Sequence, residues 1–500
     1  MKKKVVSALL CATMVATMFA GCGSKESDNN ASTPDTSKAD TSSEVSEPAE
    51  DTGKVLNIYC WNEEFKSRIT AHYPDYKEVD ATHGKIGDVD VVWNITPNDD
   101  NAYQNNLDAT LLNQADAPAD DKIDLFLVEA DYALKYVDTD YTMPIKDLGI
   151  TDDDLSKQYQ YTKDIVTDSN GVLKGLSWQG CPGVLFYNRD AAKEVLGTDD
   201  PDKVQESVKD WDTYNDTAKK MKDAGYKMTA SANDTYRVYS NNVTSKWVDG
   251  NKISIDDNIM KWVDDSKAQV DAGETGTCDL WSDDWSKGFY PQGKVFCYFG
   301  PAWLVNFSMA ADTEGSIGYN GGWGAAQGPQ GFFWGGTWIC AAQGTDNANL
   351  VKDIMLKMTT DDDIMKDIVV DDDDFVNNST VMNGMADGSI KVKDNKEYSS
   401  KILGGQNPLP MYCAGVETLD LSNLSSYDQG CNEEFQNAMK NYFEGKATKD
   451  EALDLFLNST LFFSNCGSGI GIAEIRECVY GCSGKLNNSS ASAISTISPL

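Results

Sequence analysis

Short apolar runs recur along the chain from Val55 onward, each followed by a polar stretch with helical spacing. Val55-Leu56-Asn57-Ile58-Tyr59-Cys60 reads as a strand, with Trp61, Glu63 and Glu64 at its end and a short helix from Phe65 to Tyr73. Val89 to Trp93 is a second strand. Asp99 to Asn113 is polar, with Tyr103, Leu107 and Leu111 at four-residue spacing, which predicts a helix. Ile123 to Val128 is a third strand, and Glu129, Asp131 and Tyr132 sit where it ends. Strands alternating with helices predict a parallel or mostly parallel α/β sheet, in which ligands bind beyond the carboxyl ends of the strands. This reading puts Trp61, Glu63, Glu129 and Asp131 on one rim.

The alternation continues with more aromatic content. Gly175 to Gly183 leads into a strand and turn at Val184 to Asp190. Thr213 to Ala224 predicts a helix capped by Asp212, with Tyr214, Ala218 and Met221 facing inward and Gly225 ending it. Val295 to Trp303 is an apolar strand broken by Gly300-Pro301, and Gly331 to Ile339 is aromatic and Gly-rich. Helices at Phe435–Phe443 and Lys449–Phe456 close the pattern. From about Leu457 it dissolves: residues 458–500 carry three Cys and much Ser, and read as an atypical tail, either a frameshifted or fused end or an appended segment, with no function assigned.

Ahead of the first strand, Lys2, Lys3 and Lys4 precede a 16-residue apolar run from Val5 to Ala20, too short to span a bilayer comfortably. It ends in Phe19-Ala20-Gly21-Cys22, which resembles the lipobox of bacterial lipoproteins, with Phe19 where Leu is usual. The expectation is a signal peptide at 1–21 and a lipidated Cys22 as a membrane anchor. The plain alternative is ordinary cleavage beside an incidental Cys. Residues 22–53 are rich in Ser, Thr, Asp and Glu and lack aromatics, so they read as a disordered acidic tether. As a flexible coil it would reach roughly 30 Å.

Composition narrows the function. The chain has 500 residues, enough for two large lobes, and a net charge of −36 from 79 acidic and 43 basic residues. Such a surface repels phosphate backbones and anionic lipid, so nucleic acid is excluded as a partner and the membrane is reached through the anchor only. Two histidines, His72 and His83, leave little room for a His-based triad or metal site. No P-loop occurs, and Gly467-x-Gly469-x-Gly471 has no strand–helix context. Asp361–Asp363 and Asp371–Asp374 lack the Gly and Glu of a calcium loop and read as solvated helix ends, with a weak calcium site left open. No metal and no cofactor is assigned. Cys60, Cys181, Cys297 and Cys340 lie in apolar contexts and read as small buried hydrophobes.

Several stretches together resemble a known family. They are the lipobox and tether, VLNIYCWNEEF, DLFLVEADYAL, GLSWQGCPGVLFYNRD, WDTYNDTAKKMKDAG, GKVFCYFGPAWLVNF and YDQGCNEEFQNAMKNYFEGKATKDEALDLF, over about residues 54–457. The chain resembles the extracellular solute-binding lipoproteins of bacterial ABC importers, in the large sugar-binding family that includes maltose-binding protein. The resemblance implies a two-lobed periplasmic-binding-protein-like α/β fold with hinge crossings and a ligand cleft between the lobes. It implies crossings near Pro182–Phe186, Gly331–Trp338 and Phe375–Val381. Lobe 1 then holds 54–182 and 336–380, and lobe 2 holds 183–335 and 381–457. Gly335-Gly336 between Trp334 and Trp338 favours a hinge independently, with a tight turn as the alternative. The expected protein is a monomer, anchored by lipid and facing outward, that delivers its solute to permease subunits served by a separate ATPase.

Twelve Trp and 22 Tyr suit a sugar, whose C–H faces stack on rings and whose hydroxyls want carboxylate or amide partners. The expected solute contacts are Trp61, Glu63, Asp131, Trp178, Gln179, Trp303, Trp334 and Trp338. By the resemblance, Asp131 matches the family's sugar-binding carboxylate and Trp303 its stacking aromatic; Trp61 and Glu63 are placed by position. Two other classes stay open. A glycoside hydrolase would use Glu63 and Asp131 as acid and base, and a protein of this fold could bind a non-sugar solute or feed a sensor. No catalytic residue is assigned.

Overall fold

The computed structural model describes residues 50–250 and 252–464, with side chains to 459. The signal peptide, Cys22, nearly all of the tether and the tail beyond 464 lie outside the described residues. In chain order the strands are β1 (Val55–Cys60), β2 (Tyr76–Glu78), β3 (His83–Ile86), β4 (Val89–Ile95), β5 (Leu125–Glu129), β6 (Leu176–Ser177), β7 (Pro182–Asn188), β8 (Val248–Asp249), β9 (Lys252–Ile253), β10 (Cys297–Gly300), β11 (Trp323–Ala326), β12 (Phe332–Phe333) and β13 (Thr337–Ala341). They build two main sheets. The first runs β2-β3-β4-β1-β5-β13-β6; the second is organised around β7, flanked by β10 and β11 and joined by β12. Strands β8 and β9 form a separate hairpin.

The first sheet is parallel only in its middle, where β1 runs parallel to β4 and to β5. The sheet expected to be parallel or mostly parallel is therefore a mixed one. Strands β2, β3 and β4 form an antiparallel meander, and β13 comes back from the second sheet, so it runs antiparallel to β5 and β6. Leu125, Phe126, Leu127 and Val128 are all buried, which is why β5 reads as an unbroken apolar run instead of an alternating one. Strand β7 is buried along its whole length for the same reason.

Three segments run side by side where the two sheets meet. The first, residues 178–181, joins β6 to β7; the second, 334–336, joins β12 to β13; the third, 374–378, enters the helix Ser379–Ala386. Gly180 N donates to Phe375 O at 2.9 Å and Asn377 N to Trp178 O at 2.7 Å, so the first and third are laced together. Trp334 N donates to Cys181 O at 3.3 Å, and Thr337 N to Gln179 Oε1 at 3.1 Å, which adds the second. The first connection comes before the expected Pro182–Phe186, because Pro182 opens β7 instead of interrupting it, a position a strand tolerates. Gly335 and Gly336 have φ of 67° and 100°, the left-handed side that glycine reaches at low cost.

Two ends differ from expectation. Asp51 accepts from Asn349 N at 2.8 Å and Leu350 N at 2.9 Å, capping the helix Ala348–Thr360. Thr52 N and Gly53 N both donate to Asp346 O, so residues 51–53 of the segment read as tether are bonded to the folded body. The last helix is Lys449–Ser464, past the expected boundary at 457, with Ala452 and Phe456 buried against Trp247 and Phe435. Asp210, not Asp212, caps the helix Trp211–Asp223, in a capping box with Thr213. No helix among the described residues is long and apolar enough to cross a membrane.

Candidate functional site

Because β1 and β5 are parallel, their carboxyl ends open on one rim. Trp61 follows β1 there, partly buried, with Tyr103 at 5.7 Å and the edge of Tyr132 at 6.2 Å between ring centres. Glu129 ends β5 and accepts from Asp131 N through Oε2 at 2.8 Å, which fixes the turn Ala130–Tyr132. Asp131 then meets a residue from the other side. Arg237, on the short helix Tyr236–Ser240, donates Nη1 to Asp131 Oδ1 at 2.8 Å and Nη2 to Oδ2, a two-pronged pair.

Three indoles stand beside this pair. Arg237 lies over the Trp334 ring at 6.0 Å. Trp334 and Trp303 are 5.4 Å apart at 66°, and Trp281 is 6.2 Å from Trp303 and 5.7 Å from Trp334. Trp303 is delivered by the Gly300-Pro301 break after β10, and Trp334 by the second connection. Gly335 lies between the indole and the carboxylate: a Cβ there would sit 3.3 Å from Trp303 Cζ2 and 3.5 Å from Glu129 Oε1.

The charge balance is uneven. Burial pushes the Glu129 carboxyl up to about 8, with the Asp131 charge adding and the Arg237 guanidinium opposing. Burial also raises Asp428, to about 6, and Glu433, both on the helix Asp428–Phe443 and both within the field of Asp131 and Arg237. One guanidinium thus serves several acids. A cavity of about 50 Å³ beside the pair is lined by Asp131, Arg237, Asn241, Phe333, Asp428 and Asn432. That is room for a few waters, against the roughly 300 Å³ or more of an ordinary small-molecule cleft.

The other expected contacts lie elsewhere. Trp178 is buried and stacks on Phe65 at 5.3 Å and 21°. Trp338 is buried and donates Nε1 to Thr162 O at 2.8 Å. Gln179 is 1% exposed; its Nε2 donates to Glu64 at 2.9 Å and Asp374 at 3.0 Å, and its Oε1 accepts from Thr337 N. These three support the connections from beneath and present no surface to the rim. Glu63 is exposed ahead of the helix Glu64–His72, while its neighbour Glu64 is buried. Glu63 and Asp131 are therefore in unlike settings, one in solvent and one held by Arg237.

The Asp-rich runs also have structural roles. Asp361 caps the helix Asp362–Asp372, Asp372 holds Arg68 at 2.7 Å and His72 at 3.2 Å, and Asp373 accepts from Tyr398 Oη. In the second run Asp371 is exposed at the helix end, Asp372 and Asp373 are half-buried and paired, and Asp374 is buried. Among the described residues no group of three or more His, Cys, Asp or Glu is arranged to hold a metal ion. The described cysteines are all free thiols.

Arg237 and Trp281 were not found from the sequence, and Glu129 was placed on the rim without being chosen. The chain has only four Arg, so a lone Arg amid this much acid was the available signal for Arg237. Trp281 sits in an irregular turn where no periodicity speaks.

Two sheets joined by three adjacent connections, with aromatic and charged side chains gathered between them, define a two-lobed solute-binding protein. The chain belongs to the bacterial extracellular solute-binding protein family, whose model matches residues 81–398. That family consists of binding proteins, not enzymes. The fold resembles the ABC-transporter-associated binding protein of B. animalis subsp. lactis in complex with β-1,6-galactobiose: 18% identity, TM-score 0.60, 82% of this chain and 98% of that one. It also resembles the galacto-N-biose-/lacto-N-biose I-binding protein of Bifidobacterium longum in complex with lacto-N-biose, at 13% identity and TM-score 0.62, covering 85% and 100%. Maltose-bound MalE3 of T. maritima is similar at 13% identity and TM-score 0.59, covering 82% and 99%. No curated protein matches the chain in sequence.

Proposed function

We propose that the chain captures an extracellular carbohydrate, an oligosaccharide, between its lobes and hands it to the permease of an ABC importer powered by a separate ATPase. The observation that carries this reading is the convergence of Trp303, Trp334 and Trp281 with Glu129, Asp131 and Arg237 at the strand ends between the two sheets. Indole faces suit sugar C–H faces, and charged groups that both donate and accept suit hydroxyls. The proposed contacts are Trp61, Glu129, Asp131, Arg237, Trp303 and Trp334, with Glu63 at the rim. The proposed lobes are 54–182 with 336–380 and 183–335 with 381–457, hinged at the three connections. What the bound sugars of the similar structures add is plausibility of the ligand class for this fold.

The same proposal includes a lipid anchor at Cys22 and a monomer on the outer face of the membrane. Replacing Cys22 with Ser should move the protein from the membrane fraction to the soluble one; identical fractionation of the two forms contradicts the anchor. Titration of the tryptophan fluorescence with saccharides tests the cleft, since the rings change surroundings when a solute enters. A flat signal across saccharides that do bind would place the site away from these indoles.

A further inference from the structure

Trp281 is 54% exposed and its backbone sits at φ 68°, in the left-handed region that a bulky residue avoids. The turn that carries it is well fixed. Lys440 Nζ grips both oxygens of Asp279 at 2.5 and 2.6 Å, Ser282 N donates to Asp279 O at 3.3 Å, and Ser282 Oγ caps the following helix through Trp285 N at 3.2 Å. Trp285 supports the indole from below, 5.0 Å away at 64°, and is itself held by Asp234 through Nε1 at 2.8 Å. A strained residue on a braced turn is one whose direction is being imposed.

The ring points at Trp303. The two indoles are within 27° of parallel, with centres 6.2 Å apart. A saturated ring between them needs about 7 Å between the planes, twice the carbon–carbon contact distance of about 3.5 Å. The planes lie no farther apart than the 6.2 Å between centres, so Trp281, which is 54% exposed, must move outward to admit the ring. Trp334 stands across both rings at 66° and 43°, and Glu129 Oε1 lies beside the Trp303 edge at Gly335.

Resting on the carbohydrate reading above, we infer that Trp281 and Trp303 clasp one sugar ring on both faces, and that the cleft therefore selects β-linked pyranoses whose hydroxyls are all equatorial, the gluco and xylo configurations. In such a ring both faces carry only axial C–H and every hydroxyl points to the edge; Glu129 stands at the Trp303 edge, and Arg237, paired with Asp131, lies over the neighbouring Trp334. An axial hydroxyl, at C4 in galactose or C2 in mannose, or an axial glycosidic oxygen in an α-linkage, would be pressed against an indole without a partner.

The test is titration calorimetry on the full-length protein, held in a detergent without a sugar headgroup. The panel is cellobiose, xylobiose, maltose, β-1,4-mannobiose and β-1,4-galactobiose. Cellobiose or xylobiose should bind at least tenfold tighter than the other three. Trp281→Ala should weaken that favoured sugar by tenfold or more and narrow the ratio, while Trp281→Phe should restore part of both. Equal or tighter binding of the galacto, manno or α-linked sugars, or unchanged ratios in Trp281→Ala, overturns the inference and leaves the carbohydrate reading standing. Silence across the whole panel also overturns the inference, while the carbohydrate reading falls only if no saccharide of a wider panel binds.

Discussion

Asp131 and Arg237 join the first sheet to the helix Tyr236–Ser240 through both guanidinium Nη atoms, with side chains only 19% and 18% exposed. The pair lies where a solute is proposed to bind, so solute hydroxyls must share it. Neither residue can then be altered without affecting the other. Asp131→Asn should weaken sugar binding by about 1–3 kcal/mol, as a charged acceptor becomes a neutral one. Arg237→Gln should do the same and leave Asp131 among unneutralised acids. The double variant should fall short of the sum by about 0.5–3 kcal/mol, the coupling of contacting residues. A double-mutant cycle by calorimetry checks it; strict additivity would mean the two act apart.

Glu64 gives the fold a dependence on pH. Burial pushes its carboxyl up to about 7, with Arg68 opposing and Asp374 adding. A carboxyl raised in the folded state favours the proton-bound form, so folding binds a proton between the ordinary value of 4.5 and about 7. Its contribution is complete below the lower value and is lost as pH rises through the upper one, on the order of 3 kcal/mol over the window. The melting temperature of the unaltered protein should fall relative to Glu64→Gln between pH 4.5 and 7 and run parallel above that. Parallel curves throughout would show Glu64 to be ordinary.

The two glycines of the second connection should differ. At Gly336 a Cβ would lie 2.9 Å from Cys181 Sγ and 3.2 Å from Trp338 Cζ3, at φ 100°. Gly336→Ala should cost about 1–3 kcal/mol of stability. At Gly335 the nearest atoms are 3.3 Å and 3.5 Å away, on Trp303 and Glu129, so Gly335→Ala should disturb binding more than melting. Thermal melts beside affinity measurements on both variants separate the cases, and equal effects on both would contradict them.

Asp51 should contribute to the stability of the folded body. Asp51→Ala removes the acceptor of two backbone N–H groups at the start of the helix Ala348–Thr360 and should cost about 1 kcal/mol, a typical capping loss. Thermal melts of Asp51→Ala beside Glu50→Ala check it; if the two melt alike, the Asp51 contacts contribute nothing to stability.

What could be read in advance divides along physical lines. Strand β5 and the rim at Glu129 and Asp131 were legible, because a strand buried on both faces is an unbroken apolar run with polar residues at its exit. Trp178 and Trp338 were misjudged because nearness to a connection does not say which way a ring faces. Gln179 looked like a sugar ligand, yet its amide is occupied by Glu64 and Asp374, 115 and 195 residues away in sequence. Arg237 reaches Asp131 over 106 residues, a separation no local pattern encodes. Pro182 was placed at the start of a crossing and is the first residue of β7, where a missing N–H is tolerated.

Titration calorimetry of the purified protein over a panel of mono- and oligosaccharides, with analysis of the sugars after prolonged incubation, tests the central claim most directly. The account predicts saturable binding of an oligosaccharide at one site per chain, and recovery of that sugar unchanged. Shortened sugars, or binding of a polyamine or peptide with no response to any saccharide, would contradict it.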